Sequence, residues 1–255
     1  MIPKIIHYCW LGGDLVPDRL HKCMETWKRF LPDYKFMLWD KNQFDIHSVK
    51  WVEQACNAKK YAFASDYIRL YAIYNYGGIY MDMDMELIQP FKPDLFSHGL
   101  NLGLEPGGGI EGAFIAGEKG HPIIKQLMNI YESLSFIREN GSMRMFVINY
   151  FIQKVLSDYG YVADEKGQIL DSCNTRLYNV EYFNCRSLLT GRIHKTVNSY
   201  IIHWHTIMWA NRKTRIIAWI RIHLVIPIIG ESNYSKVRRY FKRDSAWFPN
   251  PEEFK

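Results

Sequence analysis

The sequence predicts an α/β domain built on a mainly parallel sheet, with a basic helical appendage after it. Strand and helix patterns alternate through the first half, glycine pairs mark their junctions, and positive charge collects near the end. A chain of 255 residues with 48% hydrophobic content can bury a full core, and its length fits one large domain better than two ordinary ones. The expected division is a main domain over 1–210 and a basic amphipathic segment over 211–255.

Lys4 to Trp10 (KIIHYCW) is rich in β-branched and aromatic residues and is closed by Gly12-Gly13, so it reads as a strand delivering a glycine loop. His7 alternates with Ile5 and Cys9 and is expected in the core. Pro17 opens a helix whose Leu20, Met24, Trp27 and Leu31 share one face, and Pro32 ends it before a strand from Lys35 to Trp39. Ser48 is placed to cap a short helix. A longer helix from Tyr61 to Tyr76 stops at Gly77-Gly78, the residues best suited to the left-handed turn past a helix end, and a strand then runs from Ile79 to Met83. Helical patterns return at His121–Phe136, with Pro122 in the first turn, and at Ser142–Tyr159, followed by a weaker strand-rich region. In such a sheet the ligand site is expected outside the carboxyl ends of the strands.

Composition narrows the classes. The five cysteines, Cys9, Cys23, Cys56, Cys173 and Cys185, are scattered with no C-x-x-C pair, which favours a reducing compartment over a disulfide or zinc framework. The first residues lack the features of a secretory signal, so a cytoplasmic location is expected. The longest apolar stretch, Ile216 to Ile229, is broken by Arg221, His223 and Pro227, whereas a membrane span needs about 20 mostly apolar residues. The net charge is +6, yet nine Lys or Arg against one Glu lie between Asn211 and Arg243, so the remainder carries −2. The basicity belongs to the tail.

The chemistry centres on Asp82-Met83-Asp84, placed at the end of the strand after Gly77-Gly78. Residues two apart on an extended chain point to one side, so both carboxylates can reach one ion. Hard oxygen ligands suit Mn²⁺ or Mg²⁺, which often complete their shells with substrate phosphates. Asp66 and Arg69, three apart on the preceding helix, can pair with each other or face a ligand together. An exposed helix pair of this kind is worth less than about 1 kcal/mol.

Ala64-Ser65-Asp66-Tyr67-Ile68-Arg69-Leu70 and Tyr76-Gly77-Gly78-Ile79-Tyr80-Met81-Asp82-Met83-Asp84 together resemble the DXD sugar-binding region of family 32 glycosyltransferases. The opening Ile2 to Gly12 is similar to that family's first strand and donor loop, and the likeness covers about the first 90 residues. It implies a GT-A type fold, a nucleotide-sugar donor, a divalent metal, usually Mn²⁺, and retention of anomeric configuration. By matched position, Asp66 and Arg69 would contact the donor sugar or diphosphate, Asp82 the ribose or sugar side, and Asp84 the metal. Trp10, Leu11 and Gly12 would line the base, Trp10 offering a stacking face unless it packs in the core. Glu111-Gly112 stands where the family often has an asparagine nearby, which leaves Glu111 an acceptor-site candidate with no catalytic role transferred.

Tyr200-Ile201-Ile202-His203-Trp204-His205 followed by Trp209 resembles the family's late segment that closes over the donor. His203 and His205 alternate onto one face, where an imidazole would complete the metal shell or meet a phosphate oxygen; Trp209 would cover the sugar. Met208 replaces the usual serine.

These readings combine into a metal-dependent, retaining hexosyltransferase using a UDP-sugar, UDP-galactose before UDP-glucose and GDP-mannose. The expected acceptor is a polysaccharide or lipid-linked oligosaccharide, as in bacterial capsule assembly. The tail, with Arg212, Lys213 and Arg215 before the apolar stretch and Lys236 to Arg243 after it, would hold the enzyme peripherally on anionic membrane at the inner face. The competing reading is a basic membrane-peripheral or nucleic-acid-binding protein with a structural acidic cluster; no nucleic-acid module is recognisable, so no nucleic-acid partner is expected.

Overall fold

The computed structural model describes residues 1–13, 15–188, 190–206, 216–217, 219–230 and 233–234. An α/β fold is found, as expected. The N-terminal unit is β1 (Ile5–Cys9), α1 (Asp18–Phe30), β2 (Lys35–Trp39), α2 (Lys50–Asn57), α3 (Tyr61–Tyr76) and β3 (Gly78–Met81). There follow β4 (Met85–Leu87), β5 (Leu100–Leu104), β6 (Ile110–Gly117), α4 (Pro122–Ser133), α5 (Ile148–Ser157), β7 (Gln168–Leu170), β8 (Thr175–Tyr178), α6 (Val180–Phe183) and β9 (Ile201–His203).

The main sheet has the order β2-β1-β3-β6-β5-β8-β7. Strands joined through helices, β1 with β2 and β1 with β3, pair in parallel, and so do β5 and β8. Antiparallel pairing enters at β3–β6, β5–β6 and β7–β8. A separate two-stranded sheet pairs β4 with β9.

Alternation along the strands divides the core. Tyr80 and Ile115 point to the face covered by α2, α3, α4 and α5, while Ile79, Met81 and Phe114 point to the face that holds α1 and β9. Helix α1 buries Leu20, Cys23 and Trp27, and Trp27 Nε1 donates to Met85 O at 2.6 Å, tying the helix to β4. Helix α3 is different. Nine of its sixteen residues are buried, Asp66 and Arg69 among them, because the sheet lies on one side and α2 and α4 on the other. The exposed pair expected from the sequence is therefore a buried one.

Gly77 leaves α3 at φ 64°, and Gly78 follows at φ 110°, where an added Cβ would stand 2.7 Å from Ile5 O of the neighbouring strand. Only glycine allows α3 to turn back into β3 this close to β1. His7 is the core histidine expected: its Nε2 lies 2.8 Å from Gly77 O, Trp39 Nε1 donates to its Nδ1 at 3.1 Å, and burial pushes its pKa down to about 4.

Several boundaries differ from the sequence reading. Ser48 does not cap a helix; it closes a 3₁₀ turn capped by Asp45, and α2 starts two residues later. The helix expected over 142–159 begins only at Ile148, since Arg138 N and Arg144 N bond to Ser142 O and Phe136 O and keep that segment extended. Strand β3 ends at Met81, so Asp82-Met83-Asp84 is not extended strand. It forms a turn closed by Met85 N donating to Asp82 O at 3.0 Å.

Candidate functional site

That turn sets the site. Met85 pairs with His203 in the β4–β9 ladder, and Trp204 N donates to Asp84 O at 3.0 Å, so the late strand is stitched directly onto the acidic turn. One ligand atom from each of Asp82, Asp84 and His203 comes within 4.8 Å of the others. Donors on opposite sides of an ion at about 2.1 Å are about 4.2 Å apart, so the cluster fits one divalent cation with small side-chain movements. Two carboxylates and an imidazole would hold it. The two aspartates do lie close enough together to share an ion, although a turn rather than strand alternation brings them there.

Asp84 is anchored by Thr206, whose N and Oγ1 donate to Oδ2 at 2.7 and 2.9 Å, while its Oδ1 lies 3.4 Å from His203 Nε2. Burial would raise this carboxyl, but His203 and Thr206 hold it well below the ordinary carboxylate range. Asp82 Oδ1 accepts from Tyr80 OH at 2.9 Å and lies 3.6 Å from Arg69 Nη2; its desolvation, opposed by Arg69, pushes it up.

Arg69 reaches the site from α3. Its Nη1 donates to Gly112 O at 2.5 Å, its Nη2 lies 3.1 Å from Asp66 Oδ1, and the guanidinium sits 4.7 Å from the centre of the Tyr80 ring. An added Cβ at Gly112 would stand 2.5 Å from Asn149 Oδ1 and Ile148 Cγ2, so β6 passes this close only as glycine. Asp66, with Ile148 N on its Oδ2 at 3.3 Å, is pushed up to about 7 chiefly by burial; Arg69, shared with Asp82, opposes this only in part.

His203 lies between two acids. Burial disfavours its charge, but Glu111 and Asp84 raise it well above the ordinary histidine value. His205 does not join Asp82 and Asp84. Its Nε2 is 2.9 Å from Asn184 Oδ1, its ring centre 3.8 Å from that of His203, and burial with the His203 charge pushes it down to about 3. It does so at φ 50°, a backbone conformation uncommon outside glycine, which marks a locally strained, over-determined position.

A cavity of about 360 Å³ opens on these groups, lined by Trp10, Ser65, Arg69, Asp82, Asp84 and His203 among others. Trp10 is half-buried at its edge, and a ring there can stack on a planar ligand. Leu11 does not line it; its side chain is buried in the core, and Gly12 lies beside the Trp10 ring outside the lining. Trp209 lies outside the described residues, as do Arg212, Lys213, Arg215 and Lys236–Arg243. Glu111 is 3% exposed, lies against His203 and lines neither this cavity nor the larger one beside it. Thr206 and Tyr80 were not singled out by the sequence reading; a hydroxyl three residues after His203 and a tyrosine two before Asp82 were the only signals.

A second cavity of about 800 Å³ adjoins the first through Leu20, Asp84, Leu188, His205 and Thr206. Its walls combine Trp204, Trp219 and Ile222 with Arg19, Lys22 and Arg221.

Residues 17–100, about a third of the chain, match the family model described as glycosyltransferase sugar-binding region containing DXD motif, and this stretch holds Asp66, Arg69, Asp82 and Asp84. Inositol phosphoceramide mannosyltransferase 3 of Schizosaccharomyces pombe is 27% identical over 139 residues, covering 53% of this chain and 38% of that protein. An uncharacterised glycosyltransferase of Acanthamoeba polyphaga mimivirus is 34% identical over 94 residues, covering 33% and 36%. The chain thus spans well under half the length of these curated relatives. Among solved structures, a glycosyltransferase involved in glycosylation of the major capsid of PBCV-1 aligns at 12% identity and TM-score 0.47 over 83% of this chain and 96% of that one. PaToxG glycosyltransferase aligns at 23% identity and TM-score 0.43 over 51% and 60%.

Proposed function

Starting from a chain that carries a glycosyltransferase-type sugar-binding region with a DXD motif over residues 17–100, we propose that the protein is a metal-dependent hexosyltransferase of GT-A type. It takes the sugar from a nucleoside-diphosphate donor and passes it to a glycan or lipid-linked acceptor. The observation that carries this reading is the meeting of Asp82, Asp84 and His203 with Arg69 and Trp10 around one cavity. A divalent ion held by the first three would neutralise charge building on the departing diphosphate, a contribution often worth several kcal/mol. Arg69, positive and buried, would bind a phosphate or sugar oxygen, and Trp10 would stack on the base.

Each carboxylate near the cavity is engaged: Asp66 with Arg69, Asp82 with Tyr80, Asp84 with Thr206, Glu111 with His203. None is assigned as a covalent nucleophile, and the family resemblance implies attack by the acceptor hydroxyl from the face of the leaving group, with retention of configuration. UDP-galactose and UDP-glucose head the donors, with GDP-mannose behind them, a third candidate that the mannosyltransferase names among the relatives support. A screen of these three with Mn²⁺ or Mg²⁺ should show one donor hydrolysed and raising the melting temperature, both effects abolished by chelator. Full hydrolysis in excess chelator would end the metal reading; no effect of any nucleotide sugar would end the donor reading.

The larger cavity is the acceptor side. Beside it Ile217, Trp219, Ile220, Leu224 and Ile228 expose apolar surface. No helix among the described residues is long and apolar enough to cross a membrane. Exposed apolar residues flanked in sequence by the basic runs support peripheral binding to anionic membrane. The full chain should therefore pellet with acidic but not neutral vesicles, and should be released by salt. A chain that ignores acidic vesicles overturns this part alone.

A further inference from the structure

We propose that Glu111 is a positioning residue that fixes the His203 ring so that its Nε2 is presented toward Asp84 and Asp82 as the third cation ligand. The inference rests on the metal reading of that site. Glu111 comes from β6, the same strand whose Gly112 carbonyl holds Arg69, so neighbouring residues of one strand reach both walls of the cleft.

A buried acid near the start of a central strand needs a reason, because burying a carboxylate is costly unless it is paired and hydrogen-bonded. Glu111 Oε1 accepts from Ala113 N at 3.0 Å, while Oε2 meets both His203 Nδ1 at 3.2 Å and Asn184 Nδ2 at 2.8 Å. The carboxylate is thus held at both oxygens. Asn184 then turns its own oxygen to His205 Nε2, and the His205 ring lies 3.8 Å from His203, bracketing it on one face.

With Nδ1 occupied by Glu111, His203 has only Nε2 left to offer, and that atom faces Asp84 Oδ1 at 3.4 Å. A neutral imidazole that binds a cation through Nε2 carries its proton on Nδ1 and needs an acceptor there. Metal-binding histidines almost always find one in a carboxylate, carbonyl or water, and losing that partner typically costs 10–100-fold in metal affinity. A carboxylate that served only to satisfy Ala113 N and Asn184 would affect stability and leave cation binding unchanged.

The test is Mn²⁺ binding by the purified full-length chain, read from the free-ion EPR signal, with melting temperature measured on the metal-free protein. Wild type is expected to bind one Mn²⁺. Glu111→Gln should weaken it 10–100-fold, His203→Ala at least as much, and the double variant no further than His203→Ala alone, since both changes remove one unit. Should Glu111→Gln fail to fold, Asn184→Ala, which loosens the same carboxylate, should weaken Mn²⁺ binding several-fold. Wild-type protein that binds no Mn²⁺ overturns the metal reading and this proposal with it. Normal binding in wild type and Glu111→Gln, with loss only in His203→Ala, overturns the proposal and leaves the metal site standing. Unchanged binding in His203→Ala, or additive losses in the double variant, also overturns it.

Discussion

Replacing Asp84 by Asn should lower sugar transfer by about 10³-fold while the metal-free protein stays folded. The size follows from the several kcal/mol that a Lewis-acid cation contributes to a departing phosphate, each 1.4 kcal/mol being about a factor of ten in rate. The fold survives because Asn keeps an oxygen toward Thr206, and because His203 retains Glu111 as a partner when its second acid is lost. Nucleotide release measured with and without Mn²⁺ gives the first half of the result. Melting curves give the second: Mn²⁺ with donor should stabilise wild type and leave Asp84→Asn unmoved. A variant keeping a tenth of wild-type turnover would show that Asp84 is not the main ligand.

Arg69→Ala and Asp66→Asn should both abolish donor use yet move stability in opposite directions. Arg69 is 5% exposed, and removing it leaves Asp66 without its cation and Gly112 O without its donor. Breaking a buried pair from one side costs about 3–5 kcal/mol, which in a chain of this size lowers the melting temperature by roughly 10 °C. Asp66 behaves the other way. Its folded-state pKa of about 7 stands above the ordinary carboxylate value, so the folded chain holds a proton that the unfolded chain releases. Stability is therefore fully present below about pH 4 and declines as pH rises toward 7, by a few kcal/mol at most. Asn removes that titration: Asp66→Asn should match wild type near pH 5 more closely than at pH 8, where it should melt higher. Parallel curves from pH 5 to 8 would mean that Asp66 is ionised throughout, with Arg69 fully compensating its burial.

Much of this was legible in the sequence. The α3 helix, Gly77-Gly78 and β3 follow from local rules, because glycine conformation and apolar periodicity act within a few residues. The grouping of Asp82, Asp84 and His203 was also within reach, since the motif and the late histidines were both visible. What failed depended on contacts far apart in the chain. The burial of Asp66 and Arg69 is set by α2 and α4 closing over α3, although a helix reading YAFASDYIRLYAIYNY has almost no polar face and carried that warning. Glu111 was left an acceptor-site candidate because nothing in its neighbourhood names His203, 92 positions later. Leu11 was assigned to the donor loop by position, whereas its side chain had a better place in the core.

The β4–β9 pairing has a bearing on how the site comes into being. Met85 meets its partner His203, 118 positions later in the chain, so a chain emerging from the ribosome has both aspartates long before it owns the imidazole between Asp84 and Glu111. On the proposed metal reading the acidic turn alone would be a half-built chelator, and closing so long a loop carries an entropic cost that must be met before the last donor arrives. A cation that binds only the closed arrangement favours it by mass action, so the ion would act as a late fastener for the ladder as well as a reagent. Metal supply during synthesis would then govern how much of the chain reaches its finished form.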